Sequence, residues 1–326
     1  MLSVYSELNI SNARMNGEFL SHLSQVLLDS DEKKYSKSQI LEKMEQVVEA
    51  YYCDDSSAVN LEKSSKLSDS KFTNNSLRFA SNQDFARLSV LLPWSAASQC
   101  SQHVVGGQYN SRKRAAVHAI PDKLVTELND KIDLNRMNVI ESGCFEGIHS
   151  ISMAIYGAKV YGFDVRIENV LKSMVRAWVH GQSSSTCFDL LNIENTSVSD
   201  FYLAAYPNLN VDLYHCRGVL YHLTNPYKYC CQVAALKPNF IYFHTQVASD
   251  EQADELLETS HGTFNVFNYR EGGRVIPFAG VEDYAKWFTV SSLKSLMSEL
   301  GYGNIILEKL KEERNGLRLK ILLKRQ

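Results

Sequence analysis

Between Met137 and Gly147 an apolar stretch runs into an acidic residue and then a turn bounded by two glycines, Glu141-Ser142-Gly143-Cys144-Phe145-Glu146-Gly147. The residues that follow are rich in Ile and Met, so the turn should open a helix. Glycine lets the backbone approach a ligand closely and adopt positive φ. A helix start offers amides that have no intrahelical partner. A dinucleotide fingerprint needs glycine two and five positions after the first, and here those positions are Phe145 and Ile148. NAD is therefore disfavoured. Roughly twenty residues further on, Val160-Tyr161-Gly162-Phe163-Asp164 ends in a carboxylate placed to accept both hydroxyls of a ribose, although a helix-capping aspartate would look the same. Asp189 or Asn192 could accept from an adenine amine, again in competition with capping. His222 has the residue type to take a proton near neutral pH, beside Tyr221; a structural histidine making one hydrogen bond is the alternative. Arg217 ends a predicted strand and calls for an anionic partner, either a substrate carboxylate or an internal ion pair.

These residues need a frame that brings strand ends together. From Met137 onward short apolar runs alternate with amphipathic ones, as in a mostly parallel sheet covered on both faces. The predicted strands are Asn138 to Glu141, Lys159 to Phe163, Ser185 to Phe188, Val211 to His215 and Phe240 to Thr245. Helices should begin near Gly147, Ile167, Val198 and Pro226, the proline suiting a first turn where no amide donor is needed. Leu293, Leu296, Met297 and Leu300 form a helical stripe ended by Gly301. Two apolar runs follow, joined through Asn315-Gly316, a strong hairpin signal that predicts an antiparallel end to the sheet. The stretch from Ala248 to about 288 separates the fifth strand from the last helix. It is long enough to predict a substrate lid or an oligomer contact. In it we expect the phenylalanines to pack and Arg274 to meet substrate.

Before this region the pattern changes. Residues 1–75 read as amphipathic helices followed by a polar linker, and 76–326 as the domain that carries the chemistry. With 326 residues, a hydrophobic share of 44% and no apolar run near the ~18 residues of a membrane span, the chain reads as a soluble protein without a transmembrane segment. Its start lacks a secretory pattern, so a cytoplasmic location is expected. Seven cysteines without a Cys-x-x-Cys spacing predict buried thiols and no metal site. A formal charge of −3 gives no global reason to bind a polyanion, and Arg112-Lys113-Arg114 is the main basic cluster.

The glycine turn resembles the first motif of class I S-adenosylmethionine-dependent methyltransferases, acidic-x-Gly-x-Gly-x-Gly. Glu141 stands at the acidic position, Gly143 and Gly147 at the outer glycines, and Phe145 at the middle one. That resemblance implies a Rossmann-like α/β fold with a mostly parallel seven-stranded sheet whose last strand is antiparallel, here with an N-terminal helical region. It also implies S-adenosyl-L-methionine as cofactor, held by Glu141, Gly143, Cys144, Phe145, Gly147, Asp164, Val165, Arg166, Asp189, Asn192, Arg217 and Gly218. Gly218-Val219-Leu220-Tyr221-His222, with Leu92-Pro93-Trp94 upstream, is similar to the tRNA wobble-uridine 5-oxyacetate carboxymethyltransferase group and its uncharacterised relatives, over roughly Leu92 to the end. That group uses a carboxylated cofactor. Ser95 and Leu223 stand here where it has basic residues, which favours ordinary S-adenosyl-L-methionine.

The leading expectation is methyl transfer to a small-molecule acceptor, with His222 and Tyr221 catalytic and Trp94, Tyr109, Lys113, Arg274 and Arg318 contacting substrate. Two alternatives stand beside it: a tRNA carboxymethyltransferase, and a non-catalytic cofactor-binding or assembly domain. A homo-oligomer is compatible with all three.

Overall fold

The computed structural model describes residues 94–96, 98–100, 103–105, 119–274, 279–313 and 315–326. The N-terminal helices and linker predicted for 1–75 lie outside them. The described elements, in chain order, are β1 (Ser98–Cys100), β2 (His103–Val105), α1 (Lys123–Ile132), β3 (Asn138–Ser142), α2 (Ile148–Ile155), β4 (Lys159–Asp164), α3 (Ile167–Val179), β5 (Thr186–Leu190), α4 (Val198–Ala205) and β6 (Leu213–Arg217). A short 3₁₀ turn (Leu220–His222) leads to α5 (Pro226–Ala235), β7 (Phe240–Gln246), β8 (Glu255–Thr259), β9 (Gly262–Arg270), β10 (Tyr284–Phe288), α6 (Val290–Glu299), β11 (Asn304–Glu313) and β12 (Gly316–Lys324).

Seven strands form one sheet in the order β11-β12-β7-β6-β3-β4-β5. β3 pairs in parallel with β4 and β6, and β6 with β7, whereas β12 runs antiparallel to both β7 and β11. The class I methyltransferase fold expected from the sequence is the fold observed. Strand order reverses between β3 and β6: β4 and β5 extend to one side of β3, and the chain then returns to start the other side. In open α/β sheets, ligands bind beyond the carboxyl ends of strands at such a reversal. The expected strands all form, with ends moved by one or two residues. The fourth starts at Leu213 because Val211 and Asp212 use their backbones to tie the strand entrances together, Asn239 donating to Val211 and Phe240 to Asp212.

By contacts the chain divides into two compact units. One comprises the described residues up to Asp133, with Cys144–Gly157 and Arg166–Asp189. Its described helices are α1, α2 and α3. Asp122 caps α1, its side chain accepting from Leu124 N, and Ser152 of α2 accepts from the Asp122 amide. α3 buries Val170, Met174, Val175 and Ala177 along one face, with Lys172 and Arg176 buried among them.

The other unit comprises Leu134–Gly143, Ala158–Val165 and Leu190–Gln326. Its core lies on one sheet face. Ile140, Phe163, Tyr214, Ile241, Phe243 and Ile321 pack there with Tyr202 of α4, Tyr229 of α5 and Leu293 of α6. The stretch after β7, read from sequence as a substrate lid or an oligomer contact, folds into a three-stranded antiparallel sheet, β10-β9-β8. Phe264 is 2% exposed and packs into the main core, and Phe267 packs on Trp287. Among the described residues no helix is long and apolar enough to cross a membrane.

Candidate active site

The first sheet-end turn takes the shape its glycines allow. Gly143, Phe145 and Gly147 all have positive φ, at 63°, 52° and 78°. A Cβ at Gly143 would run into Val219 Cγ2, on the segment that follows β6. A Cβ at Gly147 would come 3.0 Å from Ser173 Cα, a backbone contact between α2 and α3. Both glycines are therefore required by close approach as well as by φ. Phe145 keeps the left-handed backbone of the glycine it replaces, at a cost of roughly 1–2 kcal/mol. Its carbonyl accepts from Ser173 Oγ at 3.0 Å. Cys144 is buried, with Sγ 3.6 Å from the same hydroxyl.

Just before the turn, buried hydroxyls fix the end of β3. Tyr229 donates to Ser142 Oγ at 2.7 Å and lies 3.0 Å from Tyr214 Oη. Burial pushes both phenols well above their usual range, so they stay protonated and serve as structural links. Glu141 is 1% exposed and faces His215 Nδ1 at 3.4 Å across the β3–β6 pair, and the His215 ring stacks on Tyr242. Asp164 ends β4, the neighbour of β3, and is 7% exposed; its backbone carbonyl holds Leu191 N. Val165 and Arg166 follow, both half-buried, Arg166 at the cap of α3 without a side-chain capping bond. Asn192 uses Oδ1 to accept from Glu194 N at 3.1 Å. Asp189, in β5, is 6% exposed.

Arg217 ends β6, Gly218 follows it, and then comes the 3₁₀ turn that carries Tyr221 and His222. The turn is held from several sides. Trp287 Nε1 donates to Tyr221 O at 2.7 Å, and the Arg318 guanidinium lies 5.1 Å from the Tyr221 ring centroid while pairing with Glu313. Thr224 donates its amide and hydroxyl to the two oxygens of Glu194, at 2.9 and 2.6 Å. His222 Nδ1 lies 2.7 Å from Glu271 Oε1, and Gly280 N donates to Glu271 Oε2 at 3.3 Å. Tyr221, Trp287, Phe267 and Tyr269 make an aromatic wall beside this pair, with Tyr269 stacked on Trp287 at 4.2 Å.

In the other unit Trp94 is 0% exposed, with the Arg176 guanidinium 4.6 Å from its ring centroid. Glu146 of the glycine turn, also 0% exposed, accepts from Ser95 N and Ala96 N at 2.6 and 2.9 Å and from Lys172 Nζ at 3.1 Å. Arg176 donates to Ala96 O at 2.8 Å. Burial lowers the Arg176 pKa to about 10, partly offset by Glu146. Trp94 was expected at the substrate. Here its ring is buried beside Arg176. Of the other expected substrate contacts, Arg318 reaches Tyr221 and Arg274 is exposed, whereas Tyr109 and Lys113 lie outside the described residues, as does the Arg112-Lys113-Arg114 cluster.

Neither Glu271 nor Glu146 is marked by any spacing or pattern in the sequence. Each is a single acid in a loop, and only the fold shows what it meets. Among the described residues no group of His, Cys, Asp or Glu could hold a metal ion.

With that geometry in place, the family can be stated. Residues 109–306, more than half of the chain, match the methyltransferase-domain family. The chain belongs to that family. It is a methyltransferase, and its methyl donor is S-adenosyl-L-methionine. The fold is similar to that of the N-terminal domain of EvdMO1, solved in the presence of SAH and D-fucose. Sequence identity is 18% and the TM-score 0.57, over 74% of this chain and 95% of that one. Magnesium protoporphyrin IX methyltransferase from Synechocystis PCC 6803, solved with SAM, is 16% identical with a TM-score of 0.43, over 62% of this chain and 76% of that one. No curated protein matches the sequence.

Proposed function

We propose that this methyltransferase acts on a small-molecule acceptor, with the ends of β3, β4 and β6 serving the cofactor and the Tyr221–His222 turn serving the acceptor. The observation that carries this reading is how far the acceptor groups are recessed. The His222 side chain is 17% exposed, and its turn is enclosed by Trp287, Arg318 and Glu271. A compact molecule can enter such a recess more readily than a folded nucleic acid can.

Bound S-adenosyl-L-methionine supplies an electrophilic methyl group, which an in-line nucleophile displaces from sulfur. The residues present fit that cofactor. The left-handed turn from Gly143 to Gly147 leaves backbone amides free of side-chain bulk, and Asp164 offers a sheltered carboxylate to a ribose, with Val165 and Arg166 following it. Gly218 has φ 79°, and the Tyr221 hydroxyl lies 3.8 Å from where its Cβ would stand. His222 accepts a proton from the acceptor, Tyr221 shapes the recess, and Arg274 and Arg318 bind acceptor groups. Alignment of nucleophile, methyl carbon and sulfur provides much of the remaining rate gain.

The cofactor is the plain form, because Ser95 and Leu223 supply no basic side chain for an added carboxylate. The methyltransferase domain spans 76–326. Five described cysteines are free thiols, which supports a reducing cytoplasm as the site of action.

Calorimetric titration with S-adenosyl-L-methionine and its carboxylated analogue tests the reading. We expect micromolar binding of the plain cofactor, weakened about 10–100-fold by Asp164→Ala through loss of charge-assisted hydrogen bonds worth roughly 1.5–3 kcal/mol. Equal affinity in the variant would remove Asp164 from the site. Preference for the carboxylated form would overturn the choice of cofactor.

A further inference from the structure

The insertion between β7 and α6 places a buried carboxylate against the histidine that follows β6. Glu271 comes directly after β9. Its position is set by the sheet: Arg270 pairs with Tyr284, and Glu271 N donates to Asp283 O at 2.8 Å. The Glu271 side chain is 5% exposed, with Oε1 2.7 Å from His222 Nδ1 and Oε2 accepting from Gly280 N. Gly280 closes the arrangement. A Cβ there would lie 2.7 Å from His222 O and 3.3 Å from His222 Cβ, so only glycine allows the insertion to come this near. Two separate points of the insertion, 271 and 280, thus hold one imidazole.

An ionised carboxylate can only accept hydrogen bonds. The ring nitrogen 2.7 Å from it is therefore the one that carries hydrogen, and in the neutral ring the lone pair is left on Nε2. A carboxylate sheltered from water also strengthens its attraction for the imidazolium that forms when Nε2 takes a proton.

We infer that Glu271 is a positioning residue that fixes His222 with Nδ1 protonated and Nε2 free as a base, so that the acceptor is a hydroxyl or N–H nucleophile. This rests on the reading of His222 as the group facing the acceptor. As the bond from the acceptor oxygen or nitrogen to the methyl carbon forms, the methyl–sulfur bond breaks and its electron pair stays on sulfur. The acceptor proton passes to Nε2, and the imidazolium, paired with Glu271, later releases it to solvent. A carboxylate acceptor needs no such base, and a thiol ionises near neutral pH with far less help. The insertion is on this account part of the reaction centre.

Nuclear magnetic resonance of protein labelled with ¹⁵N-histidine reads the ring directly. The wild-type enzyme should show His222 as the Nδ1–H form with a downfield Nδ1 proton, a signal absent in His222→Asn and lost in Glu271→Ala. Glu271→Asp should restore part of it. Methyl transfer to catechol, benzimidazole and thiophenol is followed in parallel by release of S-adenosylhomocysteine. Glu271→Gln should lower kcat on the first two probes by ~10²-fold, leave KM for S-adenosyl-L-methionine unchanged and spare thiophenol. A wild-type ring protonated on Nε2 would overturn the inference whatever the activity. An equal fall on all three probes would reduce Glu271 to a structural part. An Nδ1–H ring in an enzyme that binds cofactor yet methylates only thiophenol would sink the acceptor reading itself.

Discussion

Gly143→Ala probes the turn most directly. At φ 63° an alanine meets a backbone cost of roughly 1–2 kcal/mol. Its Cβ also collides with Val219 Cγ2, an overpacking that costs about 1–3 kcal/mol once the two segments shift apart. Lower chain entropy in the unfolded state returns ~0.4–1 kcal/mol. The net loss should be ~2–4 kcal/mol, with weaker cofactor binding because the turn itself moves. Val219→Ala removes the colliding methyl. By itself it should cost about 1 kcal/mol, since Val219 is only half-buried. Combined with Gly143→Ala it should recover the steric share and leave the φ share, giving a favourable coupling of ~1–3 kcal/mol. Urea denaturation of the four proteins at equal slope measures that coupling, and titration with S-adenosylhomocysteine measures the change in binding. A coupling within about 0.5 kcal/mol of zero, the level expected for independent sites, would show that the approach of Val219 is not what demands glycine.

Other outcomes follow from buried charge. Glu146→Ala leaves Lys172 and Arg176 buried without their carboxylate and frees two backbone amides, so it should destabilise by ~3–5 kcal/mol in urea; a loss below about 1 kcal/mol would show that the network is not needed. Acid should weaken the fold through histidines held neutral. His180 is lowered from its usual 6.5 to about 4 by burial and by Arg176. His244 is lowered to about 3 by burial and by Arg217, Arg318, Lys320 and His215. In both cases the unfolded chain binds the proton more readily. The stability they contribute is therefore whole above pH 6.5 and drains as pH falls through about 4 and then about 3. For His180 this amounts to at most ~3 kcal/mol; the His244 share is discounted because its ring partly meets solvent. His180→Asn should flatten the loss between pH 6.5 and 4 in thermal unfolding, and an unchanged slope would refute the assignment.

The sequence alone determined the sheet and the first turn. Val139, Ile140, Val160 and Phe163 are apolar because parallel strands are buried on both faces, and that run is readable without coordinates. Gly143 and Gly147 are readable because few other residues tolerate positive φ, and Asn315-Gly316 marks the final hairpin because its geometry is local. Asp164 could be placed at a strand end by spacing, though nothing in the spacing distinguished ribose binding from capping.

Contacts between distant segments were decided only by tertiary structure. Glu271 lies 49 residues from His222, and Glu146 lies 51 from Ser95, so neither pairing leaves a periodicity or spacing to detect. The inserted sheet was likewise missed. Exposed strands such as β8, with Leu256 at 65%, lack the buried run that reveals a central strand. Trp94 was singled out by its motif, and only the fold shows that its ring lies beside the Arg176 guanidinium, 82 residues further along the chain. Local backbone preference and burial are properties of neighbouring residues, whereas a histidine–carboxylate pair or a buried ion cluster exists only once the chain has folded back on itself.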